Sequence, residues 1–570
     1  MGVNEDFDAM LHDIGACGLY QIRQYTLVAF AIMFSAVSSI GFVFTAAIVP
    51  HRYNFIFFFA SIFHLSERCL IGACGDESET SPFTPDWLSE AVPFKSNGQP
   101  ESCLMFQGLN ATICEFERNV QERCYSWVMD GPERTIQTEF SLMCPENEWK
   151  LALVGTLNNL GVLIGLPISG FISDRYGRKT ALVIALVSAG IFGLLKTAAT
   201  SYIFFVILEM MEPMFGGNIY GISFILALEM VTPNKRVVGN MVIVFAYSVG
   251  NALMGLIAWA ARDWRVILWA TNAPALLFVL YIWVLPESVR WLMSRGRLGD
   301  AKKVVEFAAK LNKADLDKES MKDWQNGQLD RVDTDATGKG DNLWSSLRQV
   351  TKSGVLLLRL ALCSFCWASV TLVYYGLSLN SVSLGGTENQ YLNFILTSLV
   401  EAPSYLITWQ CMNRLGRRRT LCLTFVASGI ACFVNPFVPD NAGAARLPLY
   451  LFGKFAITGA FDTVYVFTAE IFPTKLRNSL LGTCSMVGRI GSMLAPQTPL
   501  LTKFSKFLPL ALFGVVALVA GALALFLPES KGTSLPVTIK EAEEISKQRK
   551  KLRQNQEDIQ SDQEATNQII

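Results

Sequence analysis

Residues 482–497 read GTCSMVGRIGSMLAPQ, and Arg489 stands at the centre of a long apolar run. Glu401 lies in LTSLVEAPSYL, just before Pro403. Lys454 and Asp462 share GKFAITGAFDTVYVF, and Glu209 and Glu212 share ILEMMEPMFGGN. A charge at mid-bilayer costs about 2.5–3.5 kcal/mol on insertion scales, so such a residue usually faces a cavity and acts there. Lys454, Thr458, Phe461 and Tyr465 follow i, i+4, i+7, i+11 spacing, one stripe of a helix, with Asp462 beside it. A carboxylate next to aromatic faces binds an ammonium group by Coulomb attraction and cation–π contact. Phe365, Trp367, Tyr374 and Tyr375 add rings from a second run, and Asn218 and Tyr220 add polar lining from a third. Taken singly, each ring reads as helix packing. Taken with the carboxylates, they read as a cation box. Arg489 has two readings of equal weight: a counter-ion to Glu401 or Asp462, or a planar fork for a substrate carboxylate.

The elements that must hold these residues are membrane helices. The 570-residue chain is 51% hydrophobic and only 17% charged, with mean hydropathy +0.34. Twelve apolar blocks approach the roughly 20 residues that a spanning helix needs: about 25–49, 151–173, 180–199, 202–228, 238–261, 265–285, 355–377, 391–412, 420–438, 447–469, 479–501 and 508–527. The first is too long for a signal peptide, no cleavage site follows it, and an acidic segment precedes it. Formal net charge is zero, so nothing points to nucleic acid. Six cysteines, Cys69, Cys74, Cys103, Cys114, Cys124 and Cys144, fall in the long polar loop after the first span. Their even number predicts three disulfides of open pairing, and hence an extracellular or lumenal loop. The sequon Asn110-Ala111-Thr112 lies in the same loop. The short 2–3 and 8–9 loops are basic, which places them and both termini in the cytosol. Residues 53–65, YNFIFFFASIFHL, are apolar but too short to span and read as an interfacial segment or a cap on the loop domain.

The chain repeats itself. GFISDRYGRK (170–179) is echoed by CMNRLGRRR (411–419), Asn413 following Asp174 by 239 residues. Glu229 with Arg236 is echoed by Glu470 with Arg477, offset 241, and PES at 286–288 by PES at 528–530, offset 242. The expected organisation is a cytosolic segment 1–24, a six-helix half 25–285 containing the loop 50–149, a cytosolic linker 286–354, a second six-helix half 355–527 and a cytosolic tail 528–570. Two such halves related by an axis along the membrane normal make a major-facilitator transporter with its site at midplane between them. Asp174, Arg175, Arg178, Glu229, Arg236, Arg414, Arg417, Glu470 and Arg477 then lie at cytosolic helix ends. There they read as an inner gate of ion pairs, or more simply as markers that fix topology. No G-x-x-x-x-G-K-[ST] is present, nor HExxH, GxSxG or another nucleophile constellation, so neither ATP-driven pumping nor enzyme chemistry is expected, and no cofactor. The three histidines, His12, His51 and His64, lie outside the spans.

GFISDRYGRK, PESVRWLMSRGR, VYYGLSLN, AEIFPTKLRN, GRIGSMLAP and FLPESKGTSLP resemble the organic cation/carnitine transporters of the solute carrier 22 family, over about residues 10–540. The resemblance is strongest to the carnitine/zwitterion branch and its insect relatives. In that family the position of Glu401 is acidic in cation and carnitine types, and the position of Arg489 is arginine in anion and carnitine types. The pair Glu401/Arg489 is the carnitine-type combination, and Phe461 and Tyr465 match aromatic cavity positions. The resemblance implies transport of organic cations or zwitterions by alternating access at the plasma membrane. An organic anion exchanger using Arg489 and Lys454 is the alternative, and a non-transporting receptor the alternative from another class. The chain departs from the pattern at Glu209, Pro213 and Asp462, which shifts the expectation toward amines, and at Ile40, where sodium-coupled relatives carry a polar residue. The segment Tyr53–Arg68 is an insertion relative to them. The partners expected are a small organic cation or zwitterion, the lipid bilayer and a coupling ion of unknown identity. The basic tail (Lys547, Arg549, Lys550, Lys551, Arg553) reads as a solvated helix with a secondary option of touching anionic lipid.

Overall fold

The computed structural model describes residues 18–47, 68–69, 88–94, 103–110, 115–124, 133–232, 235–314, 353–383, 389–439, 443–505, 507–532 and 539–544, together with Gly15, Pro100, Glu101, Trp127, Val128 and Pro536. Cys74, Cys114, the apolar patch 53–65, the three histidines and the basic tail lie outside the described residues.

Over their described residues, all twelve apolar blocks are mainly helical. The N-terminal set comprises α1 (Leu19–Ile40), α2 (Glu148–Tyr176), α3 (Arg178–Thr197), α4 (Tyr202–Gly216), α5 (Ile219–Glu229), α6 (Arg236–Ala261) and α7 (Trp264–Asn272). Among the described residues the linker holds two helices, α8 (Val289–Ser294) and α9 (Leu298–Asn312). The C-terminal set comprises α10 (Gly354–Asn380), α11 (Gln390–Leu399), α12 (Glu401–Leu415), α13 (Arg417–Val434), α14 (Gly443–Ile471), α15 (Thr474–Leu494) and α16 (Leu508–Ala524). Among the described residues, seven segments are long and apolar enough to cross a membrane: Leu19–Thr45, Glu148–Tyr176, Arg178–Thr197, Val238–Ala261, Trp264–Val284, Gly354–Asn380 and Arg417–Phe437. The other blocks are broken, short or charged. The fourth splits at Gly217–Asn218 into α4 and α5, and the eighth splits at Val400 into α11 and α12. Lys454, Asp462 and Arg489 sit in α14 and α15. Helices that line a polar site are necessarily less apolar than those facing lipid.

Helix ends differ from the apolar blocks because hydropathy marks the bilayer core while hydrogen bonding continues the helix into polar flanks. Thus α1 starts at Leu19 rather than near residue 25, and its Tyr20 amide donates to Asn312 Oδ1 of α9 at 2.8 Å. The described part of the linker forms a small apolar core of its own. Leu298, Ala301, Val305 and Ala308 pack with Trp291 against Tyr20.

The repeated PES motif has a local purpose. Gly177 and Gly416 hold φ of +106° and +94°, which a side chain resists, and each ends one helix where the next begins. At each new N-terminus, where amides lack partners, a PES glutamate accepts: Lys179 N donates to Glu287 Oε1 at 3.0 Å, and Arg417 N donates to Glu529 Oε1 at 2.8 Å. A Cβ on Gly177 would lie 2.1 Å from Glu287 Oε2. Small residues also bring α2 against α4. A Cβ on Gly161 would meet the Met210 carbonyl at 2.2 Å, so only glycine permits this approach.

In the loop domain, β1 (Leu104–Asn110) and β2 (Glu115–Arg123) pair antiparallel, and Arg68–Cys69 pairs with Trp127–Val128. Cys103 is disulfide-bonded to Cys144, and Cys124 is also disulfide-bonded. The sequon residue Asn110 ends β1.

Candidate functional site

The intramembrane charges fall into three groups. The first is a buried pair in the C-terminal set. Lys454 Nζ lies 2.9 Å from Glu401 Oε1, and both side chains are at most 2% exposed. Lys454 also donates to Ser378 Oγ at 2.6 Å and sits 3.3 Å from the centre of the Tyr374 ring. The Tyr374 hydroxyl donates to the same Glu401 oxygen at 2.7 Å. Glu401 Oε2 has no hydrogen-bond partner among the described residues. Lys454, rather than Arg489, therefore neutralises Glu401, which corrects one of the two readings of Arg489 taken from the sequence.

The second group lies in the N-terminal set and was only half visible in the sequence. Glu209 and Glu212 flank Lys196 of α3, a residue that the sequence reading passed over. Lys196 Nζ is 2.7 Å from Glu209 Oε2 and contacts Glu212 Oε2. Asn158 Nδ2 donates to Glu209 Oε1 at 2.9 Å, and Ser38 Oγ donates to Glu212 Oε1 at 2.6 Å. Glu212, expected among the substrate contacts, is turned into this cluster. The signal that could have found Lys196 is charge balance: two acids one turn apart call for a cation on a neighbouring span.

The third group is Asp462 and Arg489. Neither has an ion pair within 4.0 Å or a side-chain hydrogen bond among the described residues, although both are half-buried. Around them stands an aromatic wall. Trp367 meets Tyr465 at 4.3 Å and Phe461 at 6.3 Å between ring centres, and Tyr374 meets Phe461 and Tyr375 at 5.2 Å each. Tyr465, 39% exposed, stands within electrostatic reach of Arg489. From the N-terminal set, Tyr220 reaches toward Tyr465, Asp462 and Tyr375, and packs edge-to-face on Tyr247 at 5.5 Å. Asn218 lies at the α4/α5 break, half-buried. The stripe Phe461–Tyr465 thus comes together with Trp367, Tyr374 and Tyr375 of α10, with Lys454 buried behind them, while Phe365 is exposed and has no part in these ring contacts among the described residues. Tyr247, Ser378 and Tyr374's hydroxyl are contributions that the sequence did not single out.

The residues expected to gate form ion pairs inside each helix set. Arg178 pairs with Asp174 at 3.1 Å and approaches Glu229 at 3.9 Å, while Arg417 pairs with Glu470 at 3.0 Å. Arg477 stands within electrostatic reach of Glu470. Arg175 lies over the Tyr176 ring, the Arg414 side chain is exposed, and Arg236 opens α6.

Contacts between the two sets gather at the loop side. Lys503 pairs with Glu148 at 3.1 Å, Gln497 donates to Thr156 at 2.7 Å, Phe44 stacks on Tyr391, and the Tyr391 hydroxyl donates to Glu133 at 3.0 Å. Burial holds the Glu133 carboxyl above its ordinary range, against the opposing pull of Tyr391 and Arg262. A raised value means that the sealed state binds a proton more readily than a state with Glu133 in water. The loop-side seal therefore gains stability as pH falls through the raised value, with the full gain below the ordinary glutamate value, and loses it as pH rises. Backbone hydrogen exchange over 389–399 should slow at acidic pH in the wild type, and Glu133→Gln should flatten that dependence. Equal pH profiles in the two proteins would rule the mechanism out.

The sequence profile of the family described as "Sugar (and other) transporter" matches residues 113–541. A Drosophila melanogaster protein named "Organic cation transporter protein" is 32% identical over 546 residues, covering 95% of each chain. The Homo sapiens "Organic cation/carnitine transporter 2" is 31% identical over 534 residues, 88% of this chain and 90% of the relative. Mouse "Solute carrier family 22 member 4" is 28% identical over 95% of both chains. Among solved structures, the partially occluded inward open conformation of the xylose transporter XylE from E. coli superposes with a TM-score of 0.54 at 20% identity, over 70% of this chain and 93% of that one. At that identity the likeness concerns the fold.

Proposed function

The chain belongs to the sugar (and other) transporter family of the major facilitator superfamily, among the organic cation/carnitine transporters of solute carrier family 22, and on that premise we propose that it carries organic cations and zwitterions across the plasma membrane. It is a multi-pass membrane protein and a transporter rather than an enzyme.

The observation that carries the reading is the unpaired couple. Glu401 is matched by Lys454, and Glu209 and Glu212 share Lys196, while Asp462 and Arg489 keep opposite charges unmatched among the described residues, beside an aromatic wall. Unmatched charges in a low-dielectric setting are costly unless a ligand or water completes them. A substrate bearing an ammonium and a carboxylate completes both. The ammonium meets Asp462, the rings of Phe461 and Tyr465, and the free oxygen of Glu401; the carboxylate meets Arg489. A plain amine uses the acidic side alone. An organic anion is disfavoured, because Lys454 is already committed to Glu401 and Asp462 adds a negative charge beside the same aromatic wall.

Alternating access would rock the helix sets 25–285 and 355–527 about this site, with the Arg178 and Arg417 pairs holding the inner helix ends and both termini in the cytosol. The 286–354 linker and the 528–570 tail would lie on the same side, and the glycosylated loop 50–149 outside.

Uptake into cells of a labelled cation, a zwitterion and an anion tests the reading. Cation and zwitterion uptake should exceed that of the anion, and Asp462→Asn should lower both by about tenfold or more, the weight of one charge-assisted contact. Anion uptake in excess, or a full panel untouched by Asp462→Asn, would refute it.

A further inference from the structure

We propose that Lys196, Glu209 and Glu212 form a proton-binding site that couples transport to the proton gradient; the coupling rests on the transport reading above, while the proton site stands on geometry alone. All three side chains are at most 5% exposed, and they meet where α3 and α4 pack with α1 and α2. Two carboxylates and one ammonium leave one negative charge uncompensated. The groups that face them are neutral: Asn158 from α2, Ser38 from α1. No other charged group acts on Lys196 or Glu209 among the described residues. A buried net charge of this kind takes up a counter-charge rather than persist.

A proton is the species that fits. The ammonium of Lys196 already occupies the place between the two carboxylates where a metal cation would sit. A sodium ion beside it would meet a like charge and lack the cage of oxygens that hard cations require. A proton needs no such room. It belongs to the pair of carboxylates rather than to either one.

The cluster is wired to the substrate site by a single turn of α1. Ser38 donates to Glu212, and the next residue, Ser39, shares a 3.1 Å hydrogen bond with the Tyr247 hydroxyl. Tyr247 packs on Tyr220 and lies within electrostatic reach of Tyr375 and Glu401. Losing the proton strengthens the pull of Glu212 on Ser38 and shifts the segment of α1 that holds Tyr247 against the aromatic wall. In transport, a proton from bulk water binds the carboxylates on one side of the membrane and leaves to bulk water on the other. A zwitterion that travels with one proton moves one net charge, and so gains from the membrane potential a drive that it lacks alone.

Two measurements on the full-length protein in liposomes test this. Infrared pH titration should show a protonated carboxyl at neutral pH that is missing from both Glu209→Gln and Glu212→Gln, since either substitution leaves a neutral pair with Lys196. Its absence in the wild type, or its persistence in both variants, would overturn the site without reference to any substrate. The second is uptake of labelled carnitine, with the potential clamped by valinomycin and potassium. An acid-outside gradient should raise wild-type accumulation by up to about tenfold per pH unit, the limit for one proton, and Glu212→Gln should reach only the equilibrium level. Accumulation driven by a sodium gradient, or a pH response surviving in both glutamine variants, would overturn the coupling. If no cation, zwitterion or anion enters at all, the transport reading fails and the infrared result still decides the proton site.

Discussion

Arg489→Ala abolishes zwitterion uptake and spares uptake of a simple cation. The expectation follows from the isolation of the guanidinium. No carboxylate lies within 4.0 Å of it among the described residues, so its removal orphans no protein charge. What it orphans is the carboxylate of a bound zwitterion. Truncating one partner of a buried, hydrogen-bonded charge pair costs about 2–5 kcal/mol, a loss of roughly thirtyfold to several thousandfold in kcat/KM. A tetraalkylammonium substrate has no carboxylate to lose, and its uptake should hold or rise as a repulsive charge leaves the site. Arg489→Lys should recover little, because an ammonium cannot form the bidentate fork. Paired uptake of carnitine and tetraethylammonium in the same cells reads the difference. Equal losses for both substrates would return Arg489 to a structural role.

The fold was legible because lipid imposes a simple rule. Every spanning segment must be apolar for about 20 residues, and the rule leaves a visible block wherever it is obeyed. The internal repeat was legible for a related reason. Arg178 with Glu229 and Arg417 with Glu470 solve the same problem at the same helix ends, and the offset shows through. The site was legible as a set of residue types and not as a set of partners. Glu401, Lys454, Asp462 and Arg489 could be named from their mid-run positions, yet nothing in one sequence says which acid meets which base. Arg489 was a fair candidate for Glu401 until α14 placed Lys454 there, 2.9 Å away. Lys196 escaped notice because a lysine near the end of a span reads as a snorkelling residue, whereas α4 brings two glutamates down onto it. The PES motif was seen as a repeat, but its capping of α3 and α13 needs the tertiary fold to appear.

Glu401 and Lys454 set the second large effect, and it is an effect on folding. Lys454→Met keeps the length and shape of the side chain and removes the charge. Glu401 is then left buried with the Tyr374 hydroxyl as its one remaining donor among the described residues. Removing one member of a buried pair destabilises by about 3–5 kcal/mol, because the survivor keeps its desolvation cost and loses its counter-charge. Removing both is a different matter. In Lys454→Met/Glu401→Gln the amide oxygen still accepts from Tyr374, the charges leave together, and most of the loss should return, since buried pairs contribute little net stability over neutral replacements of like volume. Thermal denaturation in detergent, followed by loss of the monodisperse peak, compares the wild type with the single and double variants free of any substrate. Recovery in the double variant marks the pair as an internal neutraliser that leaves Asp462 and Arg489 as the charges open to a ligand. A single Lys454→Met variant as stable as the wild type, with tighter binding of cations, would mean instead that the lysine holds the substrate's place at Glu401 and yields it on binding.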